Sequence, residues 1–334
     1  MASPDLTEIV TTTLRNRTGK LADNISKNIA LLNRLEEKGT IEPVSGGRTI
    51  VQELEYAENA TFQYYSGYEV LNISPSDVFT AAEFDWKQAS VAVTISGLEG
   101  SVQNTGPEAI IPLLRSRIKN AEKTARNNTW TGMYSDGTGT SGKQIGGLQL
   151  LVADDPTTGT VGGINRATWT FWRNQVFDCS SDGGSTQSSA NVQKYMNSLW
   201  SQCVRGTDKP DLILADSVYY NNYLNSLQII QRISSDKMAQ AGFTSLKFMD
   251  ADVVLDGFIA KAAGVAASAS SGGCPASHFY FLNTDYIHYR PHTSRNWVPL
   301  DTVQSINQDA TVRLMVWAGN MTLSNAFLQG TMKA

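Results

Sequence analysis

The stretch from Gly46 to Ile73 sets the strongest condition on any fold for this chain. Gly46-Gly47-Arg48 opens it, and Thr49 to Tyr56 is patterned as an extended strand. A polar patch, Ala57 to Thr61, comes next, and Gly67-Tyr68-Glu69-Val70-Leu71-Asn72-Ile73 is patterned as a second strand. β-Branched and aromatic residues suit a pleated strand, while Gly and Asn supply the bends. The expectation is a two-stranded ribbon with Phe62, Tyr64, Tyr65 and Tyr68 gathered toward its far end. Two strands alone are marginal in water. Such a ribbon must finish its burial against something else, and another copy of the chain is one candidate.

Charge divides this ribbon from the next long segment. Residues 49–104 hold eight acidic side chains (Glu53, Glu55, Glu58, Glu69, Asp77, Glu83, Asp85, Glu99) against Lys87, a net of −7. Residues 106–128 hold Arg115, Arg117, Lys119, Lys123 and Arg126 against Glu108 and Glu122, a net of +3. That second segment is the best helix of the chain, expected over 106–127. Ile111, Leu114, Ile118, Ala121 and Ala125 recur at helical spacing, Pro107 suits a first helical position, and Pro112 kinks the helix or delays its start.

The charge division has two readings: two solvated faces, or an acidic ribbon lying across a neighbour's basic helix. In the second, the inter-subunit residues are Arg48, Glu53, Glu55, Glu58, Phe62, Tyr64, Tyr65 and Tyr68 on the ribbon, and Arg115, Arg117, Lys119 and Lys123 on the helix. Surface ion pairs contribute about 0–1 kcal/mol each and are screened beyond roughly 8 Å. The charges would set register, and the aromatics would supply most of the adhesion.

Elsewhere the pattern is mixed. Residues 1–45 carry a thin apolar stripe, which fits two modest helices or, better, an arm that orders on docking. Ala81 to Gln88 is a short helix or bent strand, and Ala89 to Ser96 a strand ended by Gly97. Leu148 to Val152 is expected as a strand. Trp169, Phe171, Trp172 and Phe177 are assigned to the core in preference to a sugar-binding platform. Ser180 to Ser189 is a polar loop and a plausible domain seam. An amphipathic helix over 191–204, a buried strand Asp211–Ala215, a helix capped by Asp216 or Ser217, and strands at 246–248 and 253–255 make an α/β layer. His278 to Tyr289 is one strand, and Thr311–Trp317 with Met321–Leu328 a hairpin about Ala318-Gly319-Asn320.

Composition narrows the function. The 334 residues include 27 basic and 31 acidic side chains, a poor balance for a dedicated nucleic-acid grip. Only 17% are charged, against about 25% in a typical domain, which fits either a partner-covered surface or ordinary drift. Cys179, Cys203 and Cys274 are scattered and odd in number, so a reducing compartment is expected. No signal peptide is legible, and the window Phe258–Ala269 is too short and too poor in large apolar residues to span a membrane. A soluble intracellular product is the expectation.

Motifs for other chemistry are weak. Gly137-Thr138-Gly139-Thr140-Ser141-Gly142-Lys143 satisfies two phosphate-loop spacings, but a helix precedes it, Gln144 follows the Lys, and Ile145-Gly146-Gly147 starts no helix. His288 and His292 are four apart with Pro291 between them, so no helix presents both to a metal. No nucleophile elbow is present. Scattered carboxylates leave a hydrolase pair open.

In this order the elements resemble the major capsid proteins of tailed bacteriophages, the Hong Kong 97-type shell fold. Gly46-Gly47-Arg48-Thr49 leading into Gln52-Glu53-Leu54 looks like the entry to that family's extended loop. Asp211–Ala215 with the Tyr219-Tyr220 helix looks like its axial strand-to-helix step. The resemblance implies an α+β fold: N-terminal arm 1–45, extended β-hairpin loop 46–80, peripheral domain 81–185 with spine helix 106–127, axial domain 186–275, and returning peripheral strands 276–334. It also implies a self-assembling icosahedral subunit enclosing double-stranded DNA without sequence specificity, through backbone contacts from the basic helix and arm. No enzyme activity, cofactor, metal or membrane is implied. Implied partners are further copies in pentamers and hexamers, with scaffolding, decoration and portal proteins; the implied location is the virion capsid, assembled in the host cytoplasm. The alternatives are a bacterial protein-compartment shell, a phage decoration or receptor-binding β protein, and an enzyme.

Overall fold

Unbroken apolar runs such as Leu212–Ala215 and Phe279–Leu282 suit strands covered on both faces, and both sit mid-sheet. The computed structural model describes residues 30–99, 113–227, 245–256, 273–301, 303–304 and 308–334. Most of the expected arm, the start of the long helix at 106–112 and the 258–269 window lie outside these residues.

The elements in chain order are α1 (Ala30–Lys38), β1 (Ile50–Glu55), β2 (Phe79–Phe84), β3 (Lys87–Ser96), α2 (Leu113–Met133), β4 (Thr160–Val161), β5 (Ile164–Asn165) and β6 (Gln175–Asp178). Then come α3 (Val192–Gln202), β7 (Leu212–Ala215), α4 (Ser217–Ser226), β8 (Ser245–Phe248), β9 (Ala251–Leu255) and β10 (His278–Leu282). The last are β11 (Ile287–Pro291), β12 (Val298–Pro299), β13 (Val303–Gln304), β14 (Ala310–Leu323) and β15 (Gly330–Lys333). The mixture is α+β, as expected.

The larger sheet runs β6-β15-β10-β7-β9-β8. Strand alternation makes it a partition between two cores. Ile213, Ala215, Val253, Phe279 and Phe281 face α3 and α4, with Tyr195, Leu199 and Tyr223. Leu212, Leu214, Val254, Tyr280 and Leu282 face a second core that includes Leu31, Leu35, Ile50, Trp130 and Trp172. Asp216 caps α4 by accepting from the Val218 and Tyr219 amides. The segment expected as returning strands, 276–334, divides between sheets: β10 and β15 join this one, β11 to β14 the other.

The second sheet is built on β14, fourteen residues long, which pairs β3 along one side and β11, β12 and β13 along the other. The expected hairpin about Ala318-Gly319-Asn320 is absent, because this segment continues as one strand. Gly319 is there for space: a Cβ would stand 2.7 Å from the Arg290 carbonyl oxygen and from the Trp317 ring. The expected single strand 278–289 is broken by a 3-10 turn at Thr284–Tyr286, which passes the chain from one sheet to the other. Leu148–Leu151, expected as a strand, is a helical turn. Its terminal carbonyls, those of Leu150 and Leu151, accept from the buried Arg166 guanidinium, which burial lowers to about 10.

The described end of the expected arm docks on its own chain. Leu31 and Leu35 of α1 are fully buried. Arg34 meets Asp211 at 3.2 Å, and Lys38 meets Asp211 and Asp285 at 3.5 and 3.0 Å. Helix α2 runs six residues past the expected Asn127 and packs on β3 and β14 through a thin cluster of Val93, Ala121 and Met315.

Candidate assembly surface

The acidic ribbon exists, with a different second strand. β1 pairs antiparallel with β2, Phe79–Phe84, and the expected strand 67–73 pairs with nothing among the described residues. The hydrophobic alternation decides this. Ile50 and Leu54 on β1, with Ala82 and Phe84 on β2, give one face of the hairpin that is buried in the core. A 67–73 pairing would offer Val70 and Ile73 instead, far from that core.

The base of the hairpin is held firmly. The Trp86 indole donates to the Gly47 carbonyl at 2.9 Å, Arg290 donates to the Gln52 side chain at 2.9 Å, and the Glu83 amide donates to Gly162. Tyr56 lies against the rings of Trp169 and Phe171, each at 5.6 Å between centroids. Trp169, assigned to the core from sequence, is thus a half-exposed buttress, while Trp172 and Phe177 are buried.

The outer face alternates with the inner one. Across the ladder it presents Val51 beside Glu83, Glu53 beside Ala81, and Glu55 beside Phe79. Val51, Glu53, Glu55, Phe79 and Glu83 are exposed. Beyond this face, residues 56–78 form an irregular tip. It turns at Ser66–Glu69, where Gly67 takes a φ of +55°. Phe62, Tyr64, Tyr65, Tyr68, Val70 and Ile73 are 64–105% exposed. Phe62 and Tyr64 touch each other edge to face, and neither touches the core.

Of the residues assigned from sequence, Glu53, Glu55, Glu58, Phe62, Tyr64, Tyr65 and Tyr68 share this hairpin and are exposed. Arg48 is exposed near its base. Lys119 is exposed on α2 and Lys123 half-buried; the Arg115 side chain lies outside the described residues. Arg117 is committed inside the chain: it bonds Glu99 at 2.9 Å and the Thr94 carbonyl at 2.8 Å, and that bond lowers the Glu99 pKa. Sequence reasoning missed Val51, Phe79 and Glu83. The alternation of Phe79-Thr80-Ala81-Ala82-Glu83-Phe84 carried the signal, hidden by Ala81–Gln88 reading equally as a helix.

The three cysteines are free and buried, and burial raises Cys203 to about 12. No group of three His, Cys, Asp or Glu side chains fit to hold a metal occurs among the described residues. His288 faces Glu42 and Ser324, and His292 meets the Trp86 ring edge to face. No helix among the described residues is long and apolar enough to cross a membrane. The phosphate-like loop folds as a left-handed turn through Thr140 and Ser141, with Lys87 donating to the Gly142 carbonyl at 2.6 Å.

No family model and no curated protein matches the sequence. Solved structures do match, over almost the whole chain. The cyanophage A-1(L) capsid asymmetric unit aligns with a TM-score of 0.64 at 13% identity, covering 96% of each chain. The SrpI encapsulin of Synechococcus elongatus aligns at 0.58 and 9% identity, covering 98% of this chain and 95% of that one. The mature capsid of bacteriophage PhiM1 aligns at 0.56 and 8% identity, covering 100% and 98%. The chain therefore has the Hong Kong 97-type shell fold, the architecture it holds in common with these phage capsid and encapsulin subunits.

Proposed function

We propose that this chain is a major capsid subunit, assembling in pentamers and hexamers into an icosahedral tailed-phage head that encloses double-stranded DNA. One observation carries the reading: a hairpin seated firmly at its base projects a tip of large apolar side chains that its own chain leaves bare. Exposed apolar patches of this kind mark interaction sites, and the shell fold supplies a neighbour in a fixed place. The interface takes Glu53, Glu55, Glu58, Phe62, Tyr64, Tyr65 and Tyr68 from one copy, with Arg48 at the hairpin base, and meets the basic α2 of the next through Arg115, Lys119 and Lys123. Arg117 supports it indirectly by holding Glu99. The subunit acts as a structural protein and needs no cofactor.

The division of the chain accords with this role: arm 1–45, extended loop 46–80, peripheral domain 81–185, axial domain 186–275, and the returning segment 276–334, which lends β10 and β15 to the axial sheet. Portal, scaffolding and decoration proteins are the further partners, the virion the location, and host cytoplasm the place of assembly. A second reading, a protein-compartment shell, has the encapsulin likeness in its favour. Nuclease-protected double-stranded DNA inside particles made in an infected host separates the two.

The test is electron microscopy of the purified full chain beside a variant carrying Glu53→Lys, Glu55→Lys and Glu58→Lys. Uniform hollow particles from the parent and folded, unassembled subunits from the variant are expected. Only dimers or trimers from the parent at every condition would overturn the shell. Normal particles from the variant would remove the charge pairing.

A further inference from the structure

β3 is an edge strand, and the backbone groups on its free side are fixed by its register. The Gly97 amide donates to the Asp309 carbonyl at 2.8 Å, in register with the β3–β14 ladder. In an antiparallel pair, directly opposed residues alternate between bonding each other and turning both backbone groups away. Odd residues of β3 therefore bond β14, and Gln88, Ser90, Ala92, Thr94 and Ser96 turn outward. Five contacts agree. The Thr94 carbonyl is taken by Arg117, and the Ser96 amide by Glu99. On β14, the partners of Ala92 and Gln88 are Leu314 and Ala318, and both bond away from β3, to Leu300 and to Arg295 and His292.

Gln88, Ser90 and Ala92 are left: exposed, with outward backbone groups that meet no partner among the described residues. The run Gln88-Ala89-Ser90-Val91-Ala92-Val93-Thr94-Ile95 has no charge and no proline. Free edges are ordinarily blunted by lysine, proline or a bulge, because a bare uncharged edge recruits foreign strands. This edge has none of these along its open part. It is built to be covered.

The same chain holds a segment patterned as a strand that joins no sheet among the described residues. Residues Glu69 to Val78 run without turn or bend, and Val70-Leu71-Asn72-Ile73 carries the β-branched pattern of a strand. Val70 and Ile73 are 94% and 91% exposed, so the segment does not reach its own β3. Five residues, Glu69 to Ile73, match the five-residue open run from Gln88 to Ala92 at the same rise per residue.

We propose that the open edge of β3 takes up Glu69–Ile73 of a second copy as an added strand. Main-chain hydrogen bonds then fix the tip, while its side chains find pockets on either face of the enlarged sheet. This rests on the shell reading for the identity of the partner copy, and it names where the tip lands.

The test uses the full chain with Val70→Cys and Ala92→Cys together, oxidised after assembly. The native cysteines are buried, so the introduced pair is the one that reports. Disulfide-linked multiples on a non-reducing gel, absent from either single variant, are expected; intact particles without them would overturn the proposal. Ala92→Pro removes an outward N–H and leaves the β14 ladder whole, so it should cut particle yield at least tenfold while Ala92→Ser assembles as the parent does. An Ala92→Pro chain that stays folded and assembles normally would also overturn it. Should the parent form no particles, the shell reading falls on its own. Linked dimers of the double variant in concentrated solution would then still support strand addition, and monomers alone would refute it.

Discussion

β7 and the hairpin tip both carry large apolar side chains, yet the fates of those side chains are opposite. All of Leu212–Ala215 is buried, because the chain supplies a strand on each side and a core on each face. Among the described residues, 57–77 pair with no strand, and none of their side chains is buried. Burial of an apolar side chain stabilises by about 1.5–3 kcal/mol, and only one of these regions gains that within the monomer. Large apolar side chains that are closed in and those left bare thus differ in what lies around them.

The widest break between them comes from truncating each. Leu214→Ala opens a cavity in a site closed on all sides, and should lower unfolding free energy by about 2–5 kcal/mol in a denaturant titration. Tyr68→Ala removes a larger side chain from a site 105% exposed, and should shift the same midpoint by no more than about 0.5 kcal/mol. Assembly should respond the other way, with Leu214→Ala particles forming from whatever folds and Tyr68→Ala particles reduced. Equal losses of stability from the two would mean the tip is packed in the free subunit.

This contrast also explains what the sequence reveals and what it hides. Period and capping are local, so α3, β7, the Asp216 cap and most of α2 are legible. Pairing is not local. The tip pattern at 67–73 makes a good strand, and nothing in it shows that β1 prefers Phe79–Phe84, whose Ala82 and Phe84 reach the core. The 318–320 triplet has turn composition, but Gly319 answers a crowding by Arg290 and Trp317 that no neighbouring residue announces. The exposure of the acidic and aromatic tip side chains is legible, because a polar, charged segment with no buried partner pattern stays at the surface. The bond that commits Arg117 to Glu99 is not legible, because helical periodicity does not say which acidic side chain outside the helix a basic one will meet.

A smaller effect probes the buried side of the comparison through one carboxyl. Asp256 sits where β9 ends, accepting from the Tyr134 hydroxyl and the Trp130 indole. Burial dominates and raises it to about 6, from 3.8 for a free carboxyl. The folded chain holds this proton more tightly than the unfolded chain does. Its stabilisation is complete below about pH 4 and is lost as pH rises through 6. Asp256→Asn keeps an acceptor and cannot ionise, so it should melt above the parent at pH 8 and level with it at pH 4. The expected gap at pH 8 is on the order of 1–3 kcal/mol. A tip variant such as Tyr68→Ala should show no such pH dependence relative to the parent.

The smallest expected effect lies at the rim, on His278. Its Nδ1 stands 2.7 Å from the Ala276 carbonyl oxygen and its Nε2 3.0 Å from Asp154 Oδ2. Both partners only accept, so the pair of contacts favours the doubly protonated ring. Burial opposes that charge, but the bond and charge of Asp154 and the Ala276 carbonyl outweigh it, and the pKa rises above 6.5. The other charges nearby are Asp216 and, across the ladder, Lys333. A raised folded pKa gives stability that is whole below about pH 6.5 and fades as pH climbs through the folded value. The lowered pKa of Asp154 makes its share fade only in acid, below 3.8. In an Asp256→Asn background, which silences the larger titration, the denaturant midpoint should therefore fall between pH 6.5 and 9. His278→Gln should flatten that slope and leave particle yield untouched, since this latch closes within one chain. A midpoint already flat in the His278 chain would mean a neutral ring, with one of its two hydrogen bonds absent.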